Sequence, residues 1–189
     1  MAIVTLNKTF ATFSGSVGDL SYFMRNGKLI ARRKPQKTAK RTRGQKAQQR
    51  RISEAAAYWR SVKADPAKLA AYTGLPQVPG LGPYHFAIRD FMNPPVVEEI
   101  DVSRYSGQTG ERIGIKATDD TEVVEVAVQI LDMAEAVLEE GAAHRDEANT
   151  TWSYVSVKSV STGQTVSVRV TAKDRPGNSA SKSILAYVR

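Results

Sequence analysis

The chain has 189 residues, 41% of them hydrophobic, no cysteine, and a formal net charge of +8 from 27 Lys+Arg against 19 Asp+Glu. That length accommodates one large domain or two small ones, each with a buried core. The composition excludes a disulfide framework, a thiolate zinc site, a cysteine nucleophile, a histidine-rich metal centre (the histidines are His85 and His144 alone) and an apolar run of 18 residues that would span a membrane.

The charge is divided along the chain. Residues 1–93 hold 17 Lys/Arg and 4 Asp/Glu, a net of +13, whereas residues 94–189 hold 10 and 15, a net of −5. This predicts two modules, 1–93 and 94–189, meeting near Asn93-Pro94-Pro95. The start, Met1-Ala2-Ile3-Val4-Thr5, lacks the basic, apolar and small-residue order of a secretory leader, which points to a cytoplasmic or virion protein.

In chain order, Thr9–Phe13 reads as a strand and Gly15-Ser16-Val17-Gly18 as a connection. No Gly-Lys-Ser/Thr follows that glycine pair, so it is no phosphate-cradling loop. Two apolar runs, Leu20–Met24 and Lys28–Ala31, flank Asn26-Gly27. Asn-Gly predicts a hairpin, because a type I′ turn needs positive φ at both central residues.

No acidic residue occurs from Leu20 to Ser53, and twelve bases do: Arg25, Lys28, Arg32, Arg33, Lys34, Lys37, Lys40, Arg41, Arg43, Lys46, Arg50 and Arg51. Like charges at this density repel, so Pro35–Gln45 is expected to be extended when free. One reading is contact with a polyanion, with nucleic-acid phosphate first. The other is a solvated charged face, or an arm laid on an acidic protein neighbour.

From Gln45 onward, Ile52, Ala55, Ala56, Trp59 and Val62 follow helical spacing. Asp65-Pro66 opens a second helix, with Asp as N-cap and Pro at the first helical position, and Gly74 stops it. A third, Tyr84–Met92, puts Tyr84, Ala87, Ile88 and Phe91 on one face. Tyr58, Trp59 and Tyr72 either stack on bases or build the core between the helices, and the spacing favours the core. His85 reads as a surface or capping residue.

The order Phe13-x-Gly15-x-Val17-Gly18, Tyr22, Asn26-Gly27-Lys28, Arg32-Arg33-Lys34-Pro35, Gln45-x-Ala47-Gln48-x-Arg50-Arg51, Ala57-x-Trp59 and Gly82-Pro83-Tyr84-His85-Phe86-Ala87-Ile88-Arg89-Asp90-Phe91-Met92 carries a resemblance. Residues 10–92 resemble a family of short, uncharacterised bacterial and phage-associated proteins. The resemblance implies a module boundary after Met92 and a phage or mobile-element setting.

Residues 95–189 read as seven short strands: Val96–Val102, Arg112–Thr118, Val123–Ile130, Ala136–Glu140, Trp152–Val155, Thr165–Ala172 and Lys182–Val188. Alternation and regular turns predict a β-sandwich. Leu131–Gly141 is read as strand–loop–strand. The segments Ile115–Asp120 and Val170–Ala180, with Trp152 and Tyr154, resemble bacterial immunoglobulin-like and fibronectin type III-like domains. The fold class expected is therefore an α+β N-terminal module (β-hairpin, basic linker, short helices) followed by an all-β immunoglobulin-like sandwich.

Asp119, Asp120 and Asp174 are weak calcium candidates, with turn capping as the alternative. Glu98, Glu99, Asp101, Glu122, Glu125, Asp132, Glu135, Glu139 and Glu140 read as a solvated surface that could instead meet the basic arm of another copy. His144 and Asp146 belong to a polar loop. No nucleophile–base–orienter set, cofactor site, small-molecule site or membrane partner is read. The expected function is a non-enzymatic assembly protein, phage or phage-like, that self-associates. Its basic arm would contact nucleic acid or an acidic subunit. Alternatives are a stand-alone nucleic-acid-binding protein and a surface adhesion module.

Overall fold

The computed structural model describes residues 2–3, 14–34, 40–76, 78–146 and 151–189. Its contacts divide the chain into two compact units, Met1–Ala47 and Gln48–Arg189.

The first unit is a small antiparallel sheet. Strands β1 (Ala2–Ile3), β2 (Gly15–Val17), β3 (Leu20–Arg25) and β4 (Lys28–Arg33) lie in the order β1-β4-β3-β2. Asn26 and Gly27 adopt φ values of 50° and 73°, the positive pair that the hairpin turn requires. That turn sets the register, with Arg25 opposite Lys28, Phe23 opposite Ile30 and Ser21 opposite Arg32. Of the expected connection Gly15–Gly18, Gly15–Val17 is a strand instead. Gly15, Ser16 and Val17 pair with Tyr22, Ser21 and Leu20, so the glycines flank an edge strand and its tight turn. The expected strand Thr9–Phe13 lies outside the described residues.

Helix α1 (Arg43–Ala64) begins before the expected Gln45. The cause is a capping box. The Gln45 backbone N–H donates to Thr42 Oγ1 (3.2 Å), and the Thr42 N–H donates to Gln45 Oε1 (2.9 Å). Helical hydrogen bonding thus overcomes charge repulsion from Arg43 on. Of the stretch expected to be extended, residues 35–39 lie outside the described residues.

In the second unit, α1 is followed by α2 (Pro66–Thr73) and α3 (Pro83–Met92). Asp65 caps α2, its Oδ1 accepting from the N–H groups of Ala67 (3.0 Å) and Lys68 (3.3 Å). Eight strands follow: β5 (Val96–Asp101), β6 (Arg112–Thr118), β7 (Val123–Leu131), β8 (Val137–Ala142), β9 (His144–Arg145), β10 (Trp152–Val155), β11 (Thr165–Asp174) and β12 (Ser179–Tyr187). His144 therefore lies on a short strand rather than in a polar loop.

The eight strands form two antiparallel sheets, β5-β6-β10-β9 and β12-β11-β7-β8. Ile113, Ile115, Trp152 and Tyr154 of the first share one core with Val126, Val128, Ile130, Val166, Val168 and Val170 of the second. Period-two alternation in β11 sends Val166, Val168 and Val170 inward, each fully buried. The chain is thus a β-sandwich-rich α+β protein. Leu131 ends β7 and Val137 opens β8, which gives strand–loop–strand.

Asn93-Pro94-Pro95 falls inside the second unit, as the connection from α3 to β5. The helices group with the sandwich because polar bonds hold α3 to its loops. Asn178 Nδ2 donates to the carbonyls of Asp90 and Phe91 (3.3 Å each), and Arg89 pairs with Asp120 at 2.7 Å. Among the described residues, no helix is long and apolar enough to cross a membrane.

Two glycines provide a graded test of the packing. Gly107 has φ 95°, and a Cβ there would lie 2.3 Å from Val188 Cγ1, whereas Gly110 has φ 90° and open space around it. Gly107→Ala should cost about 3 kcal/mol of stability and Gly110→Ala about 1 kcal/mol, read from urea unfolding. Equal losses contradict this packing.

Candidate functional site

The basic residues fall into two sets. In the hairpin, Arg25, Lys28, Arg32 and Arg33 are exposed, as are Lys34, Lys40 and Arg41 beyond it. The Arg25–Lys28 pair sits directly across the strands. Like charges placed so oppose pairing unless an anion lies between them. The Arg32 guanidinium lies 5.3 Å from the centroid of the Phe23 ring. Among the described residues, Arg25, Lys28, Arg32, Arg33, Lys34, Lys40, Arg43 and Lys46 make no ion pair. Lys37 lies outside the described residues.

The second set is on α1. Arg43, Lys46 and Arg50 recur at helical spacing along one exposed face. Arg50 is paired with Glu54 at 2.8 Å, and Arg51 donates to the Met92 carbonyl at 3.0 Å. Those two bases are engaged within the protein.

Several acids of the second unit are answered by its own bases. Glu98 pairs with Lys116 (2.6 Å), Glu125 with Lys173 (3.6 Å), Glu135 with Arg169 (3.0 Å), and Glu122 with both Arg145 (2.9 Å) and Arg175. Glu139, expected on the surface, is 2% exposed. Its carboxylate accepts from the Tyr154 hydroxyl (2.5 Å) and from the N–H groups of Val157 (2.7 Å) and Lys158 (3.0 Å). Those donors replace the water lost on burial.

Counted by unit, the asymmetry sharpens. Met1–Ala47 has eleven Lys/Arg and one Asp, while Gln48–Arg189 has sixteen Lys/Arg and eighteen Asp/Glu. The excess positive charge of the chain thus resides in the first unit.

The calcium candidates separate. Asp119 and Asp174 come together, but the third carboxylate is Asp90 of α3, and one oxygen from each lies within 4.8 Å of the others. Asp120 points elsewhere, to Arg89 and Asn93. The three clustered carboxylates are met by protein donors. Asp174 accepts from the N–H groups of Gly177 (2.8 Å) and Asn178 (2.6 Å), and Asp119 from those of Thr121 (2.9 Å) and Glu122 (3.2 Å). Asp90, fully buried, accepts from Thr121 Oγ1 (2.5 Å) and from the Tyr72 hydroxyl, which in turn meets Tyr58 Oη at 2.8 Å. For Asp119 and Asp174 this is turn chemistry. Asp90 was not singled out by sequence; its signal is a lone carboxylate three residues from Ala87, on the apolar side of a short helix.

Burial is the main force raising the Asp90 carboxyl, to about 6; hydrogen bonds from Thr121 and Tyr72 oppose it and the Asp119 charge adds to it. Burial also raises Asp174, against hydrogen bonds from Asn178 and Gly177. Asp90 and Asp174 therefore hold a proton more readily than free carboxylates do.

The aromatic residues are core. Val62, Tyr72 and Ala87 are fully buried, with Tyr58, Trp59, Leu69 and Phe86 packed against them. Trp59 meets Tyr84 edge-on at 5.7 Å, and Tyr58 meets Phe91 at 5.5 Å. These rings are not laid out as a base-stacking row. His85 caps α3, its Nδ1 accepting from the Gly82 N–H at 3.1 Å.

No family model matches the chain, and no curated protein matches it. Among solved structures, the crystal structure of CopC from Methylosinus trichosporium OB3b is similar over 48% of this chain and 89% of that one, at 12% identity and a TM-score of 0.36. A likeness at that level transfers no site.

The carboxylate cluster predicts a pH effect. A raised carboxyl pKa means that the folded state binds the proton more tightly than the unfolded chain. The resulting stabilisation is complete below about pH 4 and is lost as pH rises through about 6. Asp90→Asn should therefore gain stability relative to wild type between pH 4 and pH 7, on the order of 2 kcal/mol in urea unfolding. A difference between the two chains that does not vary with pH contradicts the assignment.

Proposed function

We propose that this chain is a non-enzymatic structural or assembly protein in which the basic first unit contacts nucleic-acid phosphate and the β-sandwich supplies protein contact. The observation that carries this reading is the imbalance of partners. Among the described residues, Arg25, Lys28, Arg32, Arg33, Lys34, Lys40, Arg43 and Lys46 make no ion pair, while Lys116, Arg145, Arg169, Lys173 and Arg175 of the sandwich each meet a carboxylate. A surface charged this way gains most from a polyanion, because each phosphate neutralised releases a counterion. The same observation disfavours the acidic face of a second copy as the partner, since Glu98, Glu122, Glu125 and Glu135 of that face are already paired. An immunoglobulin-like identity for the sandwich, and a phage or phage-like setting, belong to this proposal through the resemblances of residues 95–189 and 10–92.

The test is DNA binding by the full chain across a salt series. Affinity should fall steeply with salt, with a slope near 0.9 per phosphate contacted on duplex and about 0.7 on a single strand. Replacing Arg32, Arg33, Lys34, Lys37, Lys40, Arg41 and Arg43 with Gln should cost at least about 100-fold in affinity at low salt. The circular dichroism of the sandwich should stay unchanged. Binding that is insensitive to salt, or undiminished by the seven substitutions, refutes the reading.

A further inference from the structure

We infer that the face of the hairpin sheet carrying Phe23 takes single-stranded nucleic acid, with the Phe23 ring as a stacking platform. This rests on the polyanion reading above and names the form of its ligand.

Strand pairing distributes the hairpin residues between two faces. Cross-strand partners share a face, and residues two apart along a strand share it too. Leu29 and Ala31, 5% and 7% exposed, lie on one face, with Tyr22 opposite Ala31 and the exposed Met24 opposite Leu29. The other face carries Arg25 opposite Lys28, Phe23 opposite Ile30, and Ser21 opposite Arg32. Its three bases are exposed, while Phe23 and Ile30 are half-buried. Beyond Ser21 the edge strand adds Ser16.

The pattern along that face is cation, ring, cation. Lys28 and Arg32 are four residues apart on β4, roughly 13 Å along the strand. The apolar pair Phe23–Ile30 lies between them. The Arg32 guanidinium already stacks towards Phe23, at 5.3 Å from its centroid. An aromatic ring with a guanidinium beside it offers a flat apolar surface to a second ring and a charge to whatever that ring carries.

Charge complementarity selects the occupant. The three bases call for anions spaced along a chain, and Phe23 between them calls for a planar group. A single strand supplies both at every nucleotide, because each base exposes a face for stacking and each linkage a charge. A duplex offers the phosphates but keeps its bases stacked on one another. An acidic peptide offers charge without the rings. The seven-base substitution tested above leaves Phe23 in place, so the platform needs its own variants.

The experiment measures binding of fluorescein-labelled dT12 and of a 12-base-pair duplex by the full chain, at one salt concentration, with polyglutamate as competitor. Wild type should bind the single strand at least about tenfold more tightly than the duplex. Phe23→Leu keeps an apolar side chain and should weaken dT12 binding about tenfold while leaving duplex binding unchanged. Phe23→Trp should retain the preference, and its indole emission should be quenched by dT12, which guards against a Leu variant that fails to fold. If both nucleic acids bind with strong salt dependence but Phe23→Leu affects neither, or affects both equally, the platform is wrong and the polyanion reading stands. If neither binds, or polyglutamate displaces both at equal charge concentration, both readings fall.

Discussion

Like charges need a counter-charge: seven carboxylates of the second unit find a Lys or Arg, while among the described residues Arg25, Lys28, Arg32, Arg33, Lys34, Lys40, Arg43 and Lys46 make no ion pair. Glu98, Glu122, Glu125 and Glu135 of the sandwich are paired with nearby Lys and Arg. Such exposed pairs contribute little to stability individually. Their consequence is that the second unit presents a near-neutral surface. The first unit has Asp19 as its one acid against eleven bases. The hairpin turn then sets Arg25 against Lys28 across the strands, a placement that costs stability without an anion. A sheet this small keeps such a pair at a price that a ligand would offset.

A different balance governs the second unit. There the polar groups are buried and satisfied. Asp90, fully buried, is held by Thr121 and Tyr72, and Asn178 holds the last turn of α3 through two backbone carbonyls. Losing one partner of such a network leaves an unpaired buried group, which is why the helices and the sandwich are bound together as one unit. Glu139 of β8 plays the same part between the two sheets, through Tyr154 of β10 and two backbone N–H groups. These networks anchor elements of the second unit.

Much of the fold was legible where a local rule decides it. Asn26-Gly27 dictated a hairpin and its register, Asp65-Pro66 a helix start, and the alternation of Thr165–Ala172 a core strand. The misses came where a distant partner decides. Gly15–Val17 becomes a strand only because Leu20–Tyr22 lies beside it. The early start of α1 comes from Thr42 and Gln45 acting together, a pairing that the charge density of the segment obscures. The charge break at residue 93 and the contact break after Ala47 differ because a few buried polar atoms tie α3 to the sandwich, and composition does not register them. In the candidate site, sequence identified the basic residues by type. Which of them find partners, and that Phe23 shares a face with Arg25, Lys28 and Arg32, follows from pairing geometry alone.

On the proposal above, the two units have separate tasks, the basic sheet meeting an external anion and the sandwich making protein contacts. Amide hydrogen exchange of the full chain with and without a short single-stranded oligonucleotide tests this division most directly. Protection on binding should concentrate in Leu20–Arg33 and the first turns of α1, with the strands of the sandwich unchanged. Protection confined to the sandwich, or spread evenly over both units, would contradict it.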